Sequence, residues 1–172
     1  MIEENLYVFK TKNFNKHQKK LIDKIFKIPL NPLNMDDGET LKHTDWNLPK
    51  RMQREYLEYF NKEIFPDYAK SFCEKTNCKN FVLTKIWFQI YGKGDSHNEH
   101  NHPSCHFTNV FYVKLPNINL KTKITCLSKK VIETNISEGD IISFPSYYFH
   151  SSPKNTNDED KIIIAFNLDI LK

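Results

Sequence analysis

The chain has 172 residues, 39% of them apolar and 13% aromatic, which is the usual length of one domain and enough material for one sizeable core. Its 25 basic and 21 acidic residues leave a net charge of +4, too evenly mixed to indicate a nucleic-acid or membrane surface without a clustered patch. No run of about 18 apolar residues occurs and no signal-peptide-like stretch opens the chain, so a helical membrane span is excluded and a reducing cytoplasm is expected, with Cys73, Cys78, Cys105 and Cys126 as free thiols.

Lys10, Lys12, Lys16, Lys19, Lys20, Lys24 and Lys27 form the nearest approach to a basic patch, but Leu21, Ile22, Ile25 and Phe26 interleave with them at helical spacing. This predicts an amphipathic helix over residues 15–27 with the lysines on its solvated face. A loop rich in Pro, Asn, Asp and Gly follows from Pro29 to Thr44, with Trp46 just beyond it. Met52, Tyr56, Leu57, Phe60 and Ile64 then recur every three or four residues, predicting a second helix. Pro66 kinks or restarts it, and Tyr68, Ala69 and Phe72 carry the stripe to about residue 75.

From Phe81 the residues become β-branched and aromatic in short runs: 81–91, 107–115, 123–127, 131–136, 141–144 and 162–168. Turn formers such as Gly92 and Gly94, Pro116-Asn117 and Glu138-Gly139-Asp140 separate them, and no connection is long enough for a crossover helix. The expectation is one domain over residues 1–172, α+β but mainly β. Residues 1–80 form a helical support region, and residues 81–172 an antiparallel sandwich or roll with the helices on one sheet.

Four of the seven histidines, His97, His100, His102 and His106, fall within ten residues of one another. Alternate side chains of an extended segment share a side, so His100 and His102 can reach one metal ion together. His150, after a strand and the turn Phe144 to Phe149, is the candidate third ligand. Three imidazoles with open positions suit a catalytic iron, zinc, copper or nickel ion. His97 and His106 read as surface histidines. His97-Asn98-Glu99 also has histidine-x-carboxylate spacing, however, and competes for the same role. Apolar Val82, Ile86, Phe88 and Ile90 favour even-numbered positions as inward, unless Gly92 and Gly94 break that parity.

Several further pieces fall in a fixed order: His43-Thr44-Asp45-Trp46, Trp87, His100-Asn101-His102-Pro103, Thr108-Asn109-Val110-Phe111-Tyr112, Gly139-Asp140, Phe144-Pro145 followed by His150, then Lys161 and Phe166-Asn167. In order and spacing they resemble the 2-oxoglutarate/Fe(II) oxygenases of bacteria and phages that are related to prolyl hydroxylases. The resemblance spans most of the chain and implies a double-stranded β-helix, or jelly roll. It implies iron on His100, His102 and His150, since the proline after the second histidine belongs to that motif, and it leaves Glu99 as a neighbour. An all-histidine set departs from the carboxylate-containing set of the wider superfamily. Lys161, where arginine is usual, would pair with the distal carboxylate of 2-oxoglutarate as a point charge, assisted by Tyr112, with Tyr91 and Asn167 in the same pocket. The implied reaction uses O2 and 2-oxoglutarate to hydroxylate an unidentified substrate, releasing succinate and CO2. Trp46, Trp87, Tyr147 and Tyr148 would wall the substrate pocket, and loops 29–48 and 92–106 would set specificity. Two other classes stand beside this one. A cupin-like three-histidine metalloprotein would run a 2-oxoglutarate-independent reaction and need no Lys161, whereas a non-catalytic jelly-roll binding module would need none of the three histidines.

Overall fold

Two antiparallel sheets grow from the β-branched and aromatic runs of the second half. The computed structural model describes residues 5–35 and 38–171. In chain order the elements are β1 (Tyr7–Lys10), α1 (Phe14–Ile25), β2 (Leu33–Asn34), β3 (Thr40–Leu41), β4 (His43–Thr44), α2 (Glu55–Glu63) and α3 (Phe65–Thr76). There follow β5 (Asn80–Tyr91), β6 (His97–His100), β7 (Phe107–Lys114), β8 (Lys123–Thr125), β9 (Asp140–Pro145), β10 (Phe149–Ser152) and β11 (Lys161–Leu171). The larger sheet has the order β1-β9-β7-β11-β5-β4, the smaller one β6-β10-β8, and β2 pairs only with β3. This is the expected double-stranded β-helix, mainly β, with the helices on one sheet.

Alternation along β11 explains the layering. Ile162, Ile164, Phe166 and Leu168 pack with Leu21, Ile25, Tyr56, Phe60 and Phe72 of the helices. Ile163, on the other face, packs between the sheets with Tyr91, Val110, Tyr112, Ile142 and Phe144. A strand covered on both faces reads as a nearly continuous apolar run, as residues 162–168 do. The lysines of α1 lie on its outer side, as expected from its spacing, and the four cysteines are free thiols.

The chain departs from expectation in two places. Residues 131–136 form no strand beyond a single bridge from Val131 to Thr125. Their apolar residues instead serve as plugs, with Ile132 and Ile136 buried in the inter-sheet core. Secondly, the first eighty residues are not only helical: β1 pairs with β9 and β4 with β5, forming both edges of the larger sheet. Strands of four and two residues are too short to show a period. Of the two expected roles for Pro66, the structure shows the restart: it sits in the first turn of α3, where a missing N–H costs nothing. At the turn before β9, Gly139 has φ +83°, and a Cβ there would collide with the Phe14 ring, so glycine is required.

Candidate functional site

Antiparallel pairing of β6 with β10 sets His100 directly opposite His150. His102 lies just past the end of β6, where its backbone N–H donates to the Ser146 carbonyl at 3.0 Å, fixing it to the turn that leads into β10. The three imidazoles offer ligand atoms within 4.8 Å of one another, and among the described residues they are the one such cluster of three or more His, Cys, Asp or Glu side chains. His100 Nδ1 lies 2.8 Å from the Asn98 carbonyl and His150 Nδ1 3.4 Å from that of Tyr148. A carbonyl can only accept, so Nδ1 carries the proton and Nε2 is left with its lone pair.

Burial holds all three rings neutral. It lowers His100, brings His102 down to about 4 with help from His100 and Lys85, and drives His150 well below the usual range with help from its two neighbours. Three neutral nitrogens on one side suit a divalent transition ion with open positions, and they leave its full positive charge to attract an anionic chelator.

The competing pair is not assembled. Glu99 accepts from Thr125 Oγ1 at 2.9 Å, and His97 stacks on His100 with ring centroids 4.0 Å apart, outside the cluster. His106 is remote from the cluster and pairs with Asp169 at 2.9 Å. Parity from β5 has no bearing on the choice. Of its even positions Ile86, Phe88 and Ile90 face the helices, but Val82 is exposed and Phe81 and Leu83 pack there instead, because the register shift at Asn167 reverses the alternation; the chain then changes sheet between β5 and β6.

Beside the histidines lies a cavity of about 290 Å³. Its wall on the larger sheet comes from odd-numbered Trp87, Gln89 and Tyr91 of β5 and Ile163 and Ala165 of β11; Ser152 of β10 lines it two residues after His150, on the same strand face. Lys161 is fully buried, donates to Ser152 Oγ at 2.7 Å and places Nζ 4.8 Å from the centre of the Tyr91 ring. No carboxylate pairs with it among the described residues, and burial lowers its amine to about 7. Lys161 thus meets the cavity through Ser152 and Tyr91 rather than lining it directly.

Tyr91 lines the cavity and donates to Gln89 Oε1 at 3.0 Å. Tyr112 is buried one layer back, its hydroxyl accepting from the Thr122 N–H at 3.0 Å, and Thr122 lines the cavity. Asn167 continues the face of Ile163 and Ala165, in register with Lys85 and Thr108, with its Oδ1 buried and unpartnered. Of the four aromatic residues expected as walls, Trp46 and Trp87 line the cavity. Tyr147 and Tyr148 do not: Tyr147 is exposed and Tyr148 packs in the inter-sheet core, because the tight turn after Pro145 carries both away from the opening.

Trp46 is positioned by Asp45, whose buried carboxylate accepts from the Tyr56 hydroxyl at 2.6 Å and the Phe88 N–H at 2.9 Å, with Arg54 Nε 2.9 Å away as an ion partner. Gln89, Thr122 and Ser152 were not expected from sequence. Ser152 alone had a local signal, its place two residues beyond His150.

No family model matches the chain, and no curated protein matches it. Solved structures do. A 2OG-Fe(II) oxygenase family oxidoreductase from Burkholderia pseudomallei superposes with a TM-score of 0.72 at 10% identity, over 95% of this chain and 84% of that one. The viral collagen prolyl hydroxylase of Paramecium bursaria Chlorella virus-1 gives 0.63 at 15% identity, over 99% and 98%. The non-heme alpha-ketoglutarate-dependent epimerase SnoN of nogalamycin biosynthesis gives 0.73 at 8%, over 97% and 79%. The chain therefore has the fold of 2-oxoglutarate/Fe(II) oxygenases and prolyl hydroxylases, with a three-histidine cluster compatible with iron. No helix among the described residues is long and apolar enough to cross a membrane.

Proposed function

We propose that residues 1–172 act as one Fe(II)- and 2-oxoglutarate-dependent dioxygenase domain, hydroxylating a substrate held in the cavity beside His102. The observation that carries this reading is the pairing of two features on one cavity: three neutral imidazoles within 4.8 Å of one another, and a fully buried lysine with no acidic partner. A lone buried ammonium is costly, and a bound carboxylate is what would offset that cost. A three-histidine protein with no 2-oxoglutarate to bind would gain nothing from Lys161.

When bound, iron with 2-oxoglutarate supplies oxidising power: O2 is consumed, 2-oxoglutarate gives succinate and CO2, and one oxygen atom enters the substrate. His100 and His150 would hold the metal through Nε2 and His102 through a ring nitrogen, each presented as a neutral lone-pair donor. Lys161 would exchange its Ser152 contact for the distal carboxylate, while Tyr91, whose own phenol is kept protonated by burial, would turn its O–H from Gln89 Oε1 to the same group. Tyr112 would position Thr122 through its backbone contact. The apolar wall of Val110, Ile163 and Ala165 excludes water from the space between the two ends.

The test is to supply Fe(II), ascorbate, O2 and 2-oxoglutarate and measure succinate. Expected are saturable 2-oxoglutarate binding and metal-dependent succinate release even without substrate, both absent from a His150→Ala variant. A metal-loaded protein that neither binds 2-oxoglutarate nor makes succinate would overturn the proposal.

A further inference from the structure

Both tryptophans of the chain stand together at one edge of the cavity. Their rings meet edge to face with centroids 4.5 Å apart, and the Trp87 ring lies 5.8 Å from that of His102. Lys85 precedes Trp87 by two residues on β5 and so projects from the same face. Its Nζ lies 2.8 Å from the centre of the Trp46 ring and 5.6 Å from that of Trp87. No carboxylate pairs with Lys85 among the described residues, and Lys50 adds a second positive charge nearby. The nearest acid in sequence to Trp46, Asp45, is already engaged by Tyr56, Phe88 and Arg54.

Two further groups bear on this edge. Trp87 is 4% exposed, and its Nε1–H is buried with no acceptor among the described residues. Asn167, directly across from Lys85 in register, has its buried Oδ1 without a donor. Unpartnered polar atoms are rare inside proteins, and the Trp87 N–H beside an unpaired ammonium and a cavity marks a place where an accepting ligand group completes the hydrogen bonding; Asn167 Oδ1, itself an acceptor, would take a donor and not the anion.

We propose that this recess is the substrate-recognition subsite, and that the substrate is an acidic molecule whose carboxylate or phosphate is taken by Lys85 and Trp87 Nε1 and whose planar or apolar body rests on Trp46. The ring face of Trp46 holds the ammonium by cation–π attraction in place of an anion. An arriving anion draws Lys85 off the ring and frees that face for the rest of the substrate. Because Trp87 adjoins His102, a molecule anchored here presents its body to the metal end of the cavity. This assignment rests on the oxygenase reading for its role as substrate site, while the binding itself does not depend on turnover.

The two tryptophans make the test direct, since all indole fluorescence of the chain comes from this recess. Protein loaded with Zn(II) and 2-oxoglutarate is titrated with phenylacetate, phenyl phosphate and neutral phenylacetamide while emission is recorded. Expected is a saturable change in which at least one anion binds about tenfold or more tighter than the amide. That preference should fall to less than about twofold in Lys85→Gln, with 2-oxoglutarate affinity unaltered. Trp87→Phe, which keeps a ring and removes the N–H, should weaken anion binding about fivefold or more. Whether phosphate or carboxylate binds tighter identifies the source of the anion. Equal binding of amide and anions, a preference that survives in Lys85→Gln, or no saturable change with either anion would overturn the proposal. Because emission rather than succinate is read, such a failure is distinct from failure of the oxygenase assay.

Discussion

At one end of the cavity, His100, His102 and His150 come from two short strands and the loop beyond β6, and two of the three rings remain partly open to solvent. At the other end, the side chains of Lys161, Tyr91 and Tyr112 are buried on long strands of the six-stranded sheet. The metal end costs the fold little, because neutral imidazoles tolerate burial and need only be near one another. The lysine end is costly, since a cation is enclosed with one hydroxyl and the Tyr91 ring face but no acidic partner among the described residues. The proposed function would therefore be inexpensive to build at one end and stored against stability at the other.

The largest effect that would sharpen this contrast is at the metal end. His150→Ala should lower metal affinity on the order of 100-fold or more while leaving the circular dichroism spectrum unchanged; unchanged metal affinity would refute the cluster. At the lysine end, Lys161→Met should move two readouts in opposite directions. 2-Oxoglutarate affinity falls about 30-fold or more, whereas the protein without 2-oxoglutarate becomes more stable to urea by about 1–4 kcal/mol. A loss of both affinity and stability would mean that the lysine is a structural member of the sheet and erase the contrast.

The pH dependence separates the ends further. Lys161 is brought down to about 7 in the fold from an ordinary 10.5, so between those values the unfolded chain holds a proton that the folded one lacks. Its contribution to stability without ligand therefore rises with pH across that window. Binding an anion needs the charged amine, so 2-oxoglutarate affinity should fall above about pH 7, by up to about tenfold per pH unit. Calorimetric titration at several pH values measures both the affinity and the proton uptake, and a flat profile would break the assignment. The smallest effects are expected beside the cluster. His97→Ala and Glu99→Gln should each change metal affinity by less than about twofold, and a loss like that of His150→Ala would restore the histidine-x-carboxylate pair as a competitor.

Sequence by itself determined the helical stripe of α1, the long strands β5, β7 and β11, the solvated lysines and the alternation that puts His100 and His102 on one side. All of these are local, since periods of two and 3.6 residues are written in neighbouring side chains. It also supplied the third histidine as a candidate, through its place after a strand and turn, with the ordered motif pattern favouring it over the His97-x-Glu99 pair. Tertiary structure alone decided what those residues meet. The pairing of His100 with His150 across fifty residues follows from the closing of a three-stranded sheet in which β6 and β10, four residues each, lie outside the strands expected from sequence. The engagement of Glu99 with Thr125, the burial of Lys161 on Ser152 without an acid and the meeting of Lys85 with Trp46 follow from register and sheet closure in the same way. Local pattern fixes which face a side chain takes; only the packing of distant segments fixes its neighbour, and the chemistry of this cavity is made of such neighbours.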